Sequence, residues 1–215
     1  TGAPITLETA PLISPQVVGF NDWLTGLRAE ALEAGISEAT LDEALRDVRP
    51  SERVLELDQN QPEVRLEFWT YLDRIASAQR IEQGRRLLSE NRELLDDIAS
   101  RYGIPAPMLV AVWGIESNFG SNLGGFPVVG SLVTLAYDER RATMFRRELI
   151  HALRIVDEGH VDPENMRGSW AGAMGQVQFM PSTFVDFAKD GDGDGKVDIW
   201  GSTPDALESA ANFMS

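Results

Sequence analysis

The sequence predicts a mainly α-helical protein, and three observations carry that prediction. Apolar residues recur at three- and four-residue spacing through most of the first half. Helix start and stop signals bracket these stripes, as at Ser14-Pro15 and Gly35. No run alternating polar and apolar residues, the mark of a half-buried strand, occurs before residue 105. Thr1 to Ile13 holds two prolines and no period, so residues 1–14 read as a lead-in arm. From there Ser14 is a helix N-cap and Pro15 its first turn, with Phe20, Leu24, Leu27 and Ala31 on one stripe and Gly35 as the C-cap. A second helix over about Ser37–Val48 uses Leu41 and Leu45, making a helical hairpin with the first. Asn60-Gln61-Pro62 opens another, with Phe68, Leu72 and Ile75 aligned. A further helical stretch runs through Ile81, Leu88, Leu95 and Ile98 to Tyr102-Gly103. Residues 15–103 are thus a helical region, and the chemistry lies in 104–215.

Composition narrows the function classes. The 215 residues can bury a core unaided, and the absence of cysteine removes disulfides, thiol nucleophiles and Cys-ligated zinc together. A net charge of −15 repels a phosphate backbone, which argues against nucleic acid as a partner. The apolar run Met108–Val112 is far too short for a transmembrane segment. No basic-then-apolar leader opens the chain, so a signal peptide is expected to be absent or removed. Elbow, Walker and dinucleotide motifs are missing, and His151 and His160 have no metal-binding spacing.

Four features after residue 105 carry chemistry. Ile104-Pro105-Ala106-Pro107 separates one helix from the next, which runs from Met108 to Asn118. On its wheel Glu116 neighbours Leu109, Val112, Trp113 and Phe119, so its carboxyl group is expected within an apolar stripe. Lost hydration favours the neutral form and raises the pKa, which suits a general acid; the other reading is a glutamate bordering the core. The run Gly168–Pro181 combines small residues that admit a close-approaching chain with Ser169, Gln176 and Gln178 as polar groups and Trp170 as a face for a sugar ring. The same run could be a Gly/Ala helix-packing seam. Pro181 or Ser182 then starts a short helix bearing Phe184 and Phe187.

Asp190-Gly191-Asp192-Gly193-Asp194-Gly195 fits the first six positions of a calcium loop. Asp190, Asp192 and Asp194 would supply carboxylates and Lys196 a carbonyl oxygen. Position twelve is Gly201, so Asp205 is the nearest acidic substitute after a lengthened loop. A solvated Asp/Gly turn is the alternative, disfavoured because three like charges at this spacing repel one another without a cation. The ion would be structural. Finally, Arg140-Arg141 and Arg146-Arg147 form a basic island that could meet substrate carboxylates or pair with Glu139, Glu148 and other acids.

Taken together, Val112–Gly120, Leu132–Tyr137, Arg140-Arg141 and Gly168–Pro181 resemble the lytic murein transglycosylase B family in order and spacing. The likeness extends to Asp58–Pro62 and Asp190–Trp200 and covers the chain from about residue 18 onward. It implies a lysozyme-like transglycosylase core with an EF-hand-like calcium loop at 190–205 and a chain that continues beyond Ser215 with further groove-lining segments. It further implies cleavage of the MurNAc–GlcNAc bond of bacterial peptidoglycan without water, the muramic 6-hydroxyl attacking the anomeric carbon to leave a 1,6-anhydro end. By the same resemblance Glu116 is the single acid and base, helped by the muramic N-acetyl group. Tyr71, Ser169, Trp170 and Gln178 match the sugar groove, and Asp190, Asp192, Asp194, Lys196 and Asp205 match the calcium loop. Phe213 occupies a place where many relatives carry tyrosine. The implied partners are glycan strands, with cell-wall synthesis or division proteins as candidate companions, in the periplasm or envelope with a lipid-anchored precursor as one route. Two alternatives stay open: a goose-type lysozyme-like hydrolase, and a calcium-stabilised, non-catalytic peptidoglycan-binding module.

Overall fold

A computed structural model describes residues 15–60, 68–138 and 140–215, with the backbone alone for 15–18, Phe68, Tyr71 and Arg74. Among the described residues, eleven helices run in the order α1 (Pro15–Glu33), α2 (Glu38–Ala44), α3 (Glu52–Gln59), α4 (Phe68–Ile75), α5 (Ala78–Glu90), α6 (Arg92–Tyr102), α7 (Ala106–Ser117), α8 (Val128–Tyr137), α9 (Ala142–Asp157), α10 (Pro181–Phe187) and α11 (Thr203–Met214). One two-residue pairing joins β1 (Phe126–Pro127) antiparallel to β2 (Arg167–Gly168). None of the described helices is long and apolar enough to cross a membrane.

Caps explain several boundaries. Ser37, Ser51, Ser77 and Ser202 each turn a hydroxyl onto a backbone N–H in the first turn of α2, α3, α5 and α11, satisfying donors that have no helical partner. Gly103 ends α6 at φ 71°, a left-handed position that glycine adopts without a Cβ clash. Both helices of the expected pair are present and tied by Arg28 to Asp42 at 2.5 Å, but α2 packs chiefly on α9; Phe20, Leu27, Ala31, Leu41 and Leu45 are buried in the common core, and Leu24 packs against it half-buried. The stretch through Ile81 and Ile98 is two helices, because Asn91 leaves helical geometry at φ −107°, ψ 24° and ends α5 before α6 begins. Ile81 faces out, whereas Leu95 and Ile98 are fully buried. The expected helix start at Asn60-Gln61-Pro62 and the lead-in arm 1–13 fall outside the described residues, apart from Asn60, which caps the end of α3.

The core centres on α8, buried at eight of its ten positions, as expected for a helix that is apolar all round. It packs most extensively on α9, whose Phe145, Leu149, Ala152, Leu153 and Ile155 are also buried. Residues from α1 to α11 share one hydrophobic cluster, so the helical region and the later part of the chain bury a common core. Polar ties fix the layers. Asp157 at the end of α9 accepts Ser37 Oγ at 2.5 Å and Thr40 Oγ1 at 2.7 Å, and these bonds hold its carboxyl below the usual range. Glu208 of α11 takes two bonds from Arg101, at 2.5 and 2.8 Å, and one from Tyr102 Oη at 2.8 Å.

Candidate functional site

Glu116 occupies the last turn of α7. The buried stripe of this helix is Ala106, Leu109, Val110, Trp113, Gly114 and Ser117, and Glu116 stands at its edge, exposed on one side. This corrects the expectation of a carboxyl group amid the stripe: at 100° per residue, position 116 falls beside Leu109 and Val112 and away from the stripe's centre. Its hydration is nevertheless incomplete, and the lost water pushes the carboxyl pKa up. The carbonyl end of α7 disfavours negative charge at the same place. Among the described residues Glu116 has no hydrogen-bonding or ion-pair partner.

The end of α7 is held by a tight turn. Asn118 and Phe119 take left-handed φ angles of 51° and 59°, and Ser117 Oγ accepts Gly120 N at 2.8 Å. The Phe119 ring folds back onto the helix, meeting Trp113 edge-on at 5.6 Å. Gly114 is required there, since a Cβ would lie 2.7 Å from that ring. On this opposite face of α7, Phe119 lines an apolar cavity of about 260 Å³ shared with α5, remote in orientation from Glu116.

In front of Glu116 opens a cleft of about 340 Å³ walled by Val112, Val177, Gln178, Phe179, Met180 and Phe213. Glu116 is the one carboxylate among the described residues that line it. The 168–181 run is not a helix, and its small residues do pack tightly, a Cβ at Gly172 falling 2.6 Å from Leu132 of α8. The run doubles back twice, with Met174 bridging both Gly168 and Phe179. Gly168 permits this, because a Cβ there would lie 2.2 Å from Ala173 O. Within the loop Ser169 Oγ accepts Ala173 N at 3.0 Å, and Gln178, at φ 50°, donates to Gly175 O at 2.9 Å. Thus Gln178 walls the cleft, while Ser169 and half-buried Trp170 sit in the same loop but outside that wall. Tyr71 lies on α4, and its side chain is outside the described residues.

Two contributors take roles that the sequence, which offered Gln176 as a polar group and Phe213 as a departure from relatives, did not specify. Gln176 is buried, and its Oε1 accepts Trp113 Nε1 at 2.8 Å while its Nε2 donates to Trp200 O at 3.2 Å. It therefore clamps α7 to the loop, a long-range bond with no local signal. The other is α11, whose Ala210, Phe213 and Met214 form the far wall. Phe213 is 52% exposed and meets Phe179 and Phe187 through ring edges at 5.5 and 5.2 Å.

The basic island is mostly spent within the fold. Arg140 and Arg141, expected to meet substrate, both bind buried Asp58 at the end of α3, and Arg140 also donates to Asp58 O at 2.9 Å. A buried carboxylate needs such compensation, which is why these side chains turn inward. Glu148, expected to pair with the island, is buried with its two oxygens on Ser182 N and Oγ, each at 2.9 Å, fixing the start of α10. Glu139 lies outside the described residues.

In the acidic loop, Asp190, Asp192 and Asp194 bring carboxylate oxygens within 4.8 Å of one another. Asp190 accepts N–H bonds from Gly193, Asp194 and Gly195, so the loop curls around it. This all-oxygen donor set fits a hard divalent cation, and Lys196 follows it in the turn with its N–H on Asp194 Oδ1 at 2.8 Å. Asp205, expected as a displaced ligand, is placed differently. It is buried beneath the loop, accepting Gly191 N at 2.9 Å and Asp192 N at 3.3 Å on one oxygen and Asp198 N at 2.7 Å on the other. As the third residue of α11, its backbone N–H bonded to Ser202 Oγ, it braces the loop and stands outside the trio. His160, unassigned from sequence, accepts Val197 N at 3.2 Å and steadies the same turn.

Comparison with known proteins bears on this arrangement. Residues 19–215 match the family described as the transglycosylase SLT domain. A membrane-bound lytic murein transglycosylase B from Escherichia coli (strain K12) is 31% identical over 190 residues, covering 84% of this chain and 52% of that protein. SltB3 from Pseudomonas aeruginosa, solved in complex with NAG-anhNAM-pentapeptide, superposes with a TM-score of 0.87 at 44% identity, over 90% of this chain and 52% of that one. The Escherichia coli lytic transglycosylase Slt35, solved in complex with calcium, gives a TM-score of 0.77 at 30% identity over 92% of this chain and 61% of its own. The chain thus spans about half the length of the curated relative it matches. The mainly helical, lysozyme-like architecture and a family match over almost the whole chain agree, and the chain belongs to the transglycosylase SLT-domain family.

Proposed function

We propose that this chain is the catalytic region of a peptidoglycan lytic transglycosylase in which Glu116 alone provides acid and base. The observation that carries this reading is the unpartnered, pKa-raised Glu116 as the single described carboxylate of its cleft. Retaining and inverting glycosidases need two carboxylates across the bond, one as acid and one as nucleophile or base. A one-carboxylate cleft suits a substrate that brings its own nucleophile. Protonated Glu116 gives its proton to the glycosidic oxygen as the bond from the muramic anomeric carbon breaks. The muramic 6-hydroxyl closes on that carbon, and its proton returns to the Glu116 carboxylate. No water is consumed, and the acid is regenerated.

Gln178 is proposed to meet the sugar, which its place in the cleft wall supports, and Ser169, Trp170 and Tyr71 stay in the proposed groove on the strength of the family resemblance. Arg140 and Arg141 act through Asp58 as positioning residues. The acidic loop is proposed to hold calcium through Asp190, Asp192, Asp194 and the Lys196 carbonyl; the ion would neutralise the carboxylates and hold the turn. SltB3 was solved with a NAG-anhNAM-pentapeptide, and Slt35 with calcium, which supports both readings. The place of action that follows from the substrate is the cell envelope, on the periplasmic side.

The test is mass spectrometry of peptidoglycan digested by this chain, with Glu116→Gln alongside. Anhydro-ended fragments from the parent and none from the variant are expected. Reducing ends would overturn the proposal in favour of a lysozyme-like hydrolase, and an undigested polymer in favour of a binding module.

A further inference from the structure

A third cavity, of about 360 Å³, opens between the turn that joins α2 to α3 and the first turn of α8. It shares no lining residue with the cleft before Glu116. Arg46, Arg49 and Ser51 come from the turn, and Pro127, Gly130 and Ser131 from the start of α8. Val54 and Phe126 add apolar surface, and no described residue that lines it carries a carboxylate.

The lining is rich in donors and short of acceptors. Among the described residues, Arg46 and Arg49 have no carboxylate within ion-pair reach, and Arg49 spends one N–H on the Val48 carbonyl at 2.7 Å. Ser51 Oγ accepts Val54 N at 3.4 Å, which leaves its O–H to donate. No described side chain caps α8, so the N–H groups of Val129 and Gly130 present the positive end of that helix. Thr134 shows what a hydroxyl on this face of α8 can do: it donates to Gly130 O at 2.8 Å and accepts Ser51 N at 3.0 Å. Ser131, three residues earlier on the same face, does neither. It is 2% exposed, and its Oγ is enclosed without a partner. An unpaired buried hydroxyl is costly, and on the floor of a donor-lined cleft it points to an acceptor that occupies the site.

We propose that this cleft binds a phosphate monoester, its phosphate held by Arg46, Arg49 and Ser131 at the head of α8 and its short organic part against Val54 and Phe126. Guanidinium groups, hydroxyls and free backbone N–H groups together offer more donors than the two oxygens of a carboxylate can take, whereas a phosphate monoester presents three. Uncapped helix N-termini and arginine forks both suit that group. The net charge of −15 repels a long polyanion, but salt screens charges beyond about 10 Å, so a single phosphate in contact with these donors is the anion this chain can hold. The same chemistry occurs in a soluble ester and in a lipid headgroup, and the test separates the two.

The experiment is a calorimetric and NMR titration of the chain with glycerol 3-phosphate, with glycerol as the uncharged control. Amide shifts in the first turn of α8 and in the α2–α3 turn are expected from the ester and none from glycerol. Arg46→Ala and Arg49→Ala, both at exposed positions, should each weaken binding about tenfold. Ser131→Ala should weaken it severalfold without lowering Tm, since it removes a hydroxyl that has no bond to lose. Vesicles of phosphatidic acid in phosphatidylcholine form the second arm. Cosedimentation that the arginine variants abolish would assign the phosphate to a lipid headgroup; binding of glycerol 3-phosphate without cosedimentation would assign it to a soluble ester. No shift at millimolar ester, an equal response to glycerol, or unchanged affinity in the arginine variants would overturn the proposal. None of these readouts depends on turnover, so the outcome is separate from that of the peptidoglycan digest.

Discussion

Glu208→Gln tests how α11 is held against α6, and through it the far wall of the Glu116 cleft. Glu208 is 8% exposed at its side chain and carries two bonds from Arg101 and one from Tyr102. Its pKa is lowered, first by the Arg101 bonds and then by Tyr102. Breaking a buried ion pair costs about 3–5 kcal/mol. Here two features reduce that. Arg101 is 42% exposed and keeps Asp97 at 2.9 Å, so it is not stranded, and glutamine still offers one acceptor. About 2 kcal/mol remains for the lost charge-assisted bonds. For a chain of this size that lowers Tm by about 4–8 °C at pH 7.

The sign with pH follows from the direction of the shift. A carboxyl group whose folded pKa lies below its unfolded value of 4.5 contributes stability above that value and loses it as pH falls through the folded pKa. Calorimetry of both proteins from pH 7 down to about pH 3 should therefore show the gap closing in acid. A gap that persists unchanged at pH 3, or none at pH 7, would refute the argument that the ionised pair holds α11.

Other expectations follow from the same bonds. Asp58→Asn leaves Arg140 and Arg141 facing an amide, and because both guanidinium groups can rehydrate, the loss should be about 2–3 kcal/mol, read as a lower denaturation midpoint at unchanged m-value. Glu116→Gln should melt above the parent at pH 7, because a carboxyl with raised pKa destabilises the fold where it is ionised; the advantage should vanish in acid, and a parent that melts higher at pH 7 would contradict the strained-acid reading. If the acidic loop binds calcium, the ion at about 100 times its Kd should add about 2.7 kcal/mol, and Asp194→Asn should reduce that gain, with coincident melting curves in calcium and chelator counting against the site.

Local signals were legible and long-range ones were not. The caps at Ser37 and Gly103, the start of α10 at Pro181 and the apolar stripe of α1 all rest on residues within a turn of one another. The apolar α8 gave no period to read, because a helix buried all round carries no polar face. The short helix α3 was not read from the sequence, because its decisive partners lie elsewhere: Ser51 N on Thr134 Oγ1, and Asp58 on the two arginines. At the site, Glu116 was visible as a residue out of keeping with its neighbours. The clamp between Trp113 and Gln176 was not, since 63 positions separate the two.

The buried acids of this protein set Glu116 apart by contrast. Asp58 is held by two arginines, Glu148 by Ser182, Asp205 by three backbone N–H groups and Glu208 by Arg101 and Tyr102. In each, the water lost on burial has been replaced by hydrogen-bond donors of the protein. Glu116 has lost water without gaining a partner. A fold that meets its buried carboxylates with donors and leaves Glu116 unpartnered, at the mouth of a cleft and on the carbonyl end of a helix, favours the protonated form of that one carboxyl, as the acid role proposed for it requires. The bonds that fix Trp113, Gln176 and α11 then have a common consequence: they keep the cleft walls in position around an acid that contributes nothing to holding them.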